Sequence, residues 1–477
     1  MPGRQLRGIV TNRSFAMHEK ERIVTTAREA VNQVAPSIEA APEINAADAS
    51  DHRAESSQKL GKATLKTFFT GLSWTAAARG LSSIGAALQF VVFMRLLKPL
   101  DFGVIASAQL VYALISAATD PRIGSALMQQ EDRIDPYLDT LFTTAVVRSL
   151  LIGLILVVFA RPLGVFFHLG DSYTVFWAMA PLSLVQSIQS PRLINLYRRL
   201  DFHFVTILNV SEIAASFIFG LMAVLYWRDW RGLVCAMFAG GTVRVILTYW
   251  LFPHWPRLGF SLARAKTMFR FGIWFSAGML CDFVSKQLDN LVVGRLLGPK
   301  TLGIYQMAFR AGEMPVYEFT MAASVVTFPM VARLREDPRA RARLFWSVRA
   351  LVTVVGLGYI AFIFAFGPKV ILRLFGPAWI HAVAPLKVLC IYGLLQGLLG
   401  VERTFLYGLG KPERSVIGSV ARVGVLAIAI YPLTAWRGPT GAAAADVLAV
   451  LVALPITAHL LHQTNQANGG RGSALNP

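Results

Sequence analysis

Charge is scarce in this chain. Only 15% of its 477 residues are Asp, Glu, Lys or Arg, and 55% are hydrophobic, whereas a soluble domain carries about 25% charged residues. A water-soluble globule is thereby excluded, and many segments must lie in lipid. Acids are scarcest, 27 against 46 Lys and Arg, for a net charge of +19. No basic, aromatic-interleaved module accompanies that excess, which argues against nucleic acid as a partner. Basic loops facing anionic membrane lipids account for it better. The three cysteines, Cys235, Cys281 and Cys390, fall in separate apolar runs, with neither metal-ligand spacing nor a disulfide framework. The eight histidines are scattered singly, and no GxxxxGK[ST] loop, HExxH helix or GxSxG elbow occurs. These absences argue against ATP-driven transport by this chain alone, against a bound metal or cofactor, and against an enzyme embedded in the membrane.

What the chain does have is a segment written twice. Arg95-Leu96-Leu97-Lys98-Pro99, followed by Gly103 and Ala108, returns as Arg295-Leu296-Leu297-Gly298-Pro299, followed by Gly303 and Ala308. Trp74 and Trp274 stand upstream of the two copies. In each copy Pro ends one helix and Gly permits a tight turn or a close backbone approach. The pattern predicts a short extracytoplasmic hairpin whose role is architectural, packing the first two helices of each half. A membrane protein of two similar halves holds its substrate where they meet and moves it by rocking one against the other.

Apolar runs near the ~20 residues a bilayer requires predict an all-α polytopic protein of about twelve spans. They lie at approximately 72–94, 102–119, 139–160, 173–190, 206–227 and 233–252, then 272–294, 303–331, 345–366, 382–401, 416–435 and 440–461. Glu313, Pro315 and Glu318 interrupt the eighth. The reading is of two parallel six-helix lobes around a central cavity, 67–252 and 272–463, joined by a cytoplasmic loop at 253–271 and followed by a short cytoplasmic tail, 464–477. Residues 1–66 are polar and Ala-rich, with no apolar stretch long enough to span, and read as a mostly disordered cytoplasmic tail. Loop Lys and Arg divide 17 against 10 between the two sides, which puts both termini inside. The basic side includes Arg198, Arg264, Arg339 and Lys411; the other carries Arg95, Lys98, Arg295 and Lys300.

Charges inside the spans are the remaining signal, because each costs at least ~2.5–3.5 kcal/mol at a bilayer centre. Arg79, Arg148, Glu212, Arg244, Arg349, Arg422 and Asp446 are such residues. Asp282, Lys286 and Asp289 share one helical stripe in the seventh span, and Arg310, Glu313 and Tyr317 share another in the eighth. Asp282 and Lys286 either neutralise each other one turn apart or line a cavity. Arg148 and Arg349, near span ends, read as snorkelling toward headgroups. Cations outnumber acids, and an anionic head with a diphosphate suits the two-pronged Arg fork.

At this point the residues resemble a known family. Asp289-Asn290-Leu291-Val292-Val293-Gly294-Arg295-Leu296-Leu297-Gly298, followed by Leu302-Gly303-Ile304-Tyr305, is similar to the core of Wzx-type oligosaccharide flippases, in the multidrug/oligosaccharidyl-lipid/polysaccharide exporter superfamily. Gly124-Ser125-Ala126-Leu127-Met128-Gln129, Leu196-Tyr197-Arg198-Arg199-Leu200-Asp201-Phe202, and Pro315 with Phe328-Pro329 fit the same pattern. The resemblance covers about residues 70–460 and leaves the N-terminal tail unmatched. It implies movement of undecaprenyl-diphosphate-linked sugar units across a bacterial inner membrane for exopolysaccharide, capsule or O-antigen synthesis. It also implies alternating access around a cationic cavity, coupling to an ion gradient, and polysaccharide polymerase and export proteins as partners beside the lipids. By position, Arg79, Lys286, Arg310, Arg244 and Arg422 are the expected contacts to the diphosphate or glycan head, and Asp282, Asp289 and Asp446 the expected coupling groups. The alternative is a drug or metabolite exporter of the same fold, in which those acids would receive organic cations. A glycan polymerase or ligase would need a large extracytoplasmic loop, and none is present.

Overall fold

The computed structural model describes residues 80, 82–120, 135–194, 196, 202–253, 256–257, 259, 261–334 and 337–473. The N-terminal tail, Trp74 and Arg79 lie outside these residues. The described chain is helical and contains no strand. Its elements are α1 (Ser82–Leu96), α2 (Pro99–Thr119), α3 (Asp135–Val158), α4 (Ala160–Phe166), α5 (Thr174–Ser187), α6 (Phe202–Trp227), α7 (Trp230–Leu251), α8 (Leu262–Arg333), α9 (Pro338–Leu374), α10 (Val383–Gly408) and α11 (Pro412–Ser473). Seven helices among the described residues are long and apolar enough to cross a membrane.

Local chemistry sets the breaks. Pro99, Pro338 and Pro412 each open a helix, where the missing N–H costs nothing and φ is already helical. The Asp101 carboxylate accepts from the Lys98 N–H at 3.1 Å, and Asp229 and Asp337 cap α7 and α9 by accepting from the N–H groups of Arg231 and Ala340. Two long helices are folded back at a glycine that precedes a proline. Gly298 (φ 75°) breaks α8, and Gly438 (φ 60°) breaks α11; a side chain would strain either turn. These give α8a (262–297) and α8b (299–333), and α11a (412–437) and α11b (439–473). The interruption expected around Pro315 is absent, since α8b continues through Pro315 and Pro329. Helix also begins at Leu262, inside the expected inter-lobe loop, and extends to Ser473, through the expected C-terminal tail.

The halves build two cores that meet at the seam, where Met94 and Ala106 of the first half join the core of the second. Phe93, Val104, Leu156, Phe176, Met179 and Val224 anchor the first, and Tyr305, Trp379, Leu389, Tyr392, Leu426 and Val450 the second. Within the first half α6 packs along α7 and α3 along α5; within the second, α10 packs against α8, α9 and α11. Outward faces are apolar, as Leu150, Leu154, Ile218, Met222, Val354 and Ile428 illustrate. That is the pattern of a protein whose solvent is lipid.

The repeat does more than pack each half internally. Its two copies lock onto each other across the halves, where α2 runs against α8b. A Cβ built on Gly103 would sit 1.6 Å from the Pro299 carbonyl oxygen, and one built on Gly303 would sit 2.0 Å from that of Pro99. The contact is reciprocal, as a pseudo-twofold axis requires. The repeated arginines reciprocate as well. Arg95 Nη1 donates to the Leu372 carbonyl of the second half (3.3 Å), and Arg295 Nη1 to the Phe166 carbonyl of the first (3.1 Å). Trp379 completes the seam: its Nε1–H donates to the Met94 carbonyl at 2.9 Å, and its ring meets Phe102 edge-on at 5.4 Å.

Candidate functional site

Beyond this seam the halves diverge and enclose a cavity of about 790 Å³, lined by α1, α2, α6 and α7 on one side and α8 on the other. It runs from Phe102 and Gly303 at the seam to Ala113 and Glu318 at the far end. Arg310, Glu313 and Tyr317, one stripe of α8b, all line it, with Lys286, Gln287 and Asn290 contributed by α8a. The described lining holds two cations, Lys286 and Arg310, and two acids, Glu313 and Glu318. The expected cationic cavity is therefore charge-balanced over its described residues.

Arg310 is the notable member. Its side chain is open to the cavity, and its guanidinium lies 5.2 Å from the centre of the Phe90 ring, on the opposite half. No carboxylate pairs with it and no acceptor takes its N–H donors among the described residues. A planar fork of five donors thus rests on the Phe90 ring, with its N–H groups unclaimed among the described residues. Such a group stabilises an incoming anion without first breaking an ion pair.

Behind the α8 wall lies a buried polar cluster joining three helix segments. The Tyr305 hydroxyl of α8b is 2.9 Å from Asp289 Oδ2 of α8a and 2.8 Å from Asp446 Oδ2 of α11b. Both carboxyl groups are almost wholly buried, at 2% and 1% exposure. The hydroxyl has one hydrogen and so donates fully to only one carboxylate at a time. The second contact calls for a hydrogen from a carboxyl group, or a cation between the oxygens. Arg422 lies in the same buried region and donates from Nη2 to the Tyr392 hydroxyl at 3.2 Å, while its Nε has no hydrogen-bond partner among the described residues. Arg422 does not line the cavity. The sequence thus gathered Asp289, Asp446 and Arg422 under two roles, and the fold brings them near one another; the Asp282 side chain lies outside the description.

Three arginines depart from expectation. Arg244 does not reach the cavity; its Nη1 donates to Glu212 Oε2 and Asn209 Oδ1, both at 2.8 Å, and its Nε to Gln189 Oε1. Those bonds hold α6, α7 and the end of α5 together within the first half. Arg349 does not snorkel freely; it pairs at 2.8 Å with Glu402 Oε1, whose residue is 0% exposed. Arg148 closes the end of α2, donating to the Ser116 carbonyl and Oγ and to Thr119 Oγ1. Sequence reasoning passed over Glu402 and the cavity amides Gln89, Gln109, Gln287 and Gln306. Amides inside apolar runs were the available signal, and they were masked by the louder one of charge.

Residues 92–384 match the sequence profile of a family described as polysaccharide biosynthesis protein. The lipopolysaccharide biosynthesis protein WzxC of Escherichia coli (strain K12) is 20% identical over 358 residues, covering 75% of this chain and 70% of that protein. The succinoglycan biosynthesis transport protein ExoT of Rhizobium meliloti (strain 1021) is 26% identical over 374 residues, covering 76% and 74%. Among solved structures, the lipid II flippase MurJ in an inward closed conformation superposes with a TM-score of 0.66 at 11% identity, covering 84% of this chain and 90% of that one. At that identity the likeness speaks for the fold: a two-lobe helical membrane protein.

Proposed function

The chain belongs to the polysaccharide biosynthesis protein family, and from that premise we propose that it flips undecaprenyl-diphosphate-linked oligosaccharides across the bacterial inner membrane, for exopolysaccharide, capsule or O-antigen synthesis. It works as a transporter and not as an enzyme. The observation that carries the reading is Arg310: a guanidinium without a counter-carboxylate among the described residues, facing a cavity between two halves. Arginine grips phosphate oxygens through parallel N–H bonds, and Lys286 on the same wall adds a second cation. Arg79 remains a candidate for the head group, and Arg244, tied within its own lobe, no longer is one. A volume of about 790 Å³ lies within the range of head-group-sized sites, so the polyprenyl tail stays in the bilayer.

Alternating access supplies the motion. In the described state the halves meet at the Gly103–Gly303 seam and part beyond it. From the bias of the loop charges we assign the seam to the extracytoplasmic side and both termini to the cytoplasm, and on that assignment this is the state closed to the outside. We assign the two lobes to 67–252 and 272–463, with α8 already starting at Leu262 in the linker and α11 running on to Ser473. The Asp289–Tyr305–Asp446 cluster, with Asp282, is our candidate for ion coupling. A proton or cation taken there changes the charge of α8a, the helix that also carries Lys286. Polymerase and export proteins are the partners such a carrier would serve.

Glu313 and Glu318 on the cavity wall favour a second reading, export of an organic cation. One experiment separates the two: leaflet exchange of a fluorescent polyprenyl-diphosphate oligosaccharide in proteoliposomes, with and without a proton or sodium gradient. The flippase reading expects exchange by the wild type and a loss of about 10- to 100-fold in Arg310→Ala, since a charged hydrogen bond contributes ~1.5–3 kcal/mol. Absence of exchange in the wild type, together with uptake of cationic dyes, overturns it.

A further inference from the structure

The two walls of the cavity differ in kind. All four charged groups that line it, Lys286, Arg310, Glu313 and Glu318, come from α8. The opposite wall, from α1, α2, α6 and α7, carries no charge among its described residues. Its polar groups are Gln89, Gln109 and Ser216, set among the rings of Phe90 and Phe102. Their hydrogen bonds are only partly used. Gln89 Nε2 donates to Ser216 Oγ at 2.8 Å, and Gln109 Nε2 meets the weak acceptor Met237 Sδ at 3.4 Å. Neither amide oxygen has a donor among the described residues, and facing them Gln306 of α8b makes no hydrogen bond among them at all.

Resting on the flippase reading, we propose that this uncharged wall, with Gln306 of α8b opposite it, is a sugar subsite: Gln89, Gln109 and Gln306 bind the hydroxyl groups of a neutral glycan residue while the α8 cations hold the diphosphate. The chemistry matches on three counts. An amide both donates and accepts, and a sugar hydroxyl does the same, so each can satisfy the other with no net charge. The C–H face of a pyranose is apolar and finds aromatic surface beside the amides. A uronate carboxylate placed there would be desolvated with no cation among the described residues of that wall, the α8 cations being engaged by the diphosphate, which is unfavourable. The site therefore selects for neutral sugars next to the diphosphate and against acidic ones.

The test uses the full-length protein in lipid nanodiscs and three probes: bare polyprenyl diphosphate, the same lipid bearing a neutral disaccharide, and the same lipid bearing a uronic acid disaccharide. The wild type is expected to bind the neutral glycolipid about tenfold more tightly than the bare lipid, as two or so net hydrogen bonds allow, and to gain nothing from the uronate. The double variant Gln89→Leu, Gln109→Leu is expected to lose that tenfold gain and keep its affinity for the bare lipid. Gln306→Leu, on the other wall, serves as an independent variant with the same expected direction. Unchanged preference for the neutral glycolipid in all variants overturns the subsite, and so does equal loss for both lipids or tighter binding of the uronate. Failure of the wild type to bind any of the three lipids is a different result: it removes the flippase reading, and the subsite with it.

Discussion

An alanine at Gly103 has no room in the seam. Its methyl carbon would lie 1.6 Å from the Pro299 carbonyl oxygen and 2.4 Å from the carbonyl carbon, whereas unstrained non-bonded contacts lie near 3.5–4.0 Å. The obstacle is backbone, so no rotamer relieves it, and α2 and α8b must separate by roughly 2 Å. Overpacking of this kind costs about 1–3 kcal/mol. The contact lies between the halves, in the buried seam where Met94 and Ala106 join the core of the second half, so that cost is expected to fall on the closed state more than on folding within either half. If closed and open states exchange, it moves their ratio by roughly 5- to 150-fold. The assay is thiol labelling. Cys235, Cys281 and Cys390 are replaced, Gln306→Cys is introduced as a cavity reporter, and a membrane-impermeant maleimide is applied to the extracytoplasmic face. Labelling rises several-fold in Gly103→Ala and likewise in Gly303→Ala, whose methyl meets Pro99 O at 2.0 Å. Gly358→Ala, with nothing within 4 Å of the new atom, leaves it unchanged. Unaltered labelling in both seam variants with normal yield refutes the reasoning. So does a fall in folded yield without a gain in labelling, because the contact would then belong to folding.

Other consequences can be checked in parallel. Arg310→Lys keeps the charge but loses the fork, so it should retain more exchange than Arg310→Ala and less than the wild type. Arg349→Met strands the buried Glu402 carboxylate and should cost about 3 kcal/mol, read as a lower thermal unfolding midpoint; Arg349→Met with Glu402→Leu should recover much of it. Tyr305→Phe removes the hydroxyl shared by Asp289 and Asp446 and should weaken the dependence of exchange on an ion gradient more than it weakens lipid binding; gradient dependence equal to that of the wild type argues against that cluster. Arg244→Met should lower stability through loss of its bonds to Glu212, Asn209 and Gln189 while leaving lipid affinity within about twofold.

Some of the site was legible in the chain. Arg310, Glu313 and Tyr317 were legible as a stripe because helical periodicity alone places i, i+3 and i+7 on one face, and all three line the cavity. Intramembrane charge was also legible, since its insertion cost marks every such residue as needing a partner or water. Which of the two each residue found was not. Arg349 meets Glu402 53 positions away and Arg244 meets Glu212 32 positions back, pairings that depend on which helices pack together. Gln89 and Gln109 drew no attention because an amide in a span costs less than a charge and stands out less.

By itself the sequence determined the medium, the helical class and the doubling of the chain, for these depend on composition, on periodicity and on repetition, all local or countable. Only the tertiary structure decided that the doubled motif would bind its own copy. Gly103 lies under the Pro299 carbonyl and Gly303 under that of Pro99 because the two halves share a pseudo-twofold axis, and residues two hundred positions apart meet wherever that axis passes between packed helices. The same packing turned one wall of the cavity charged and the other neutral. Each wall is written in its own helices, but facing one another is a property of neither.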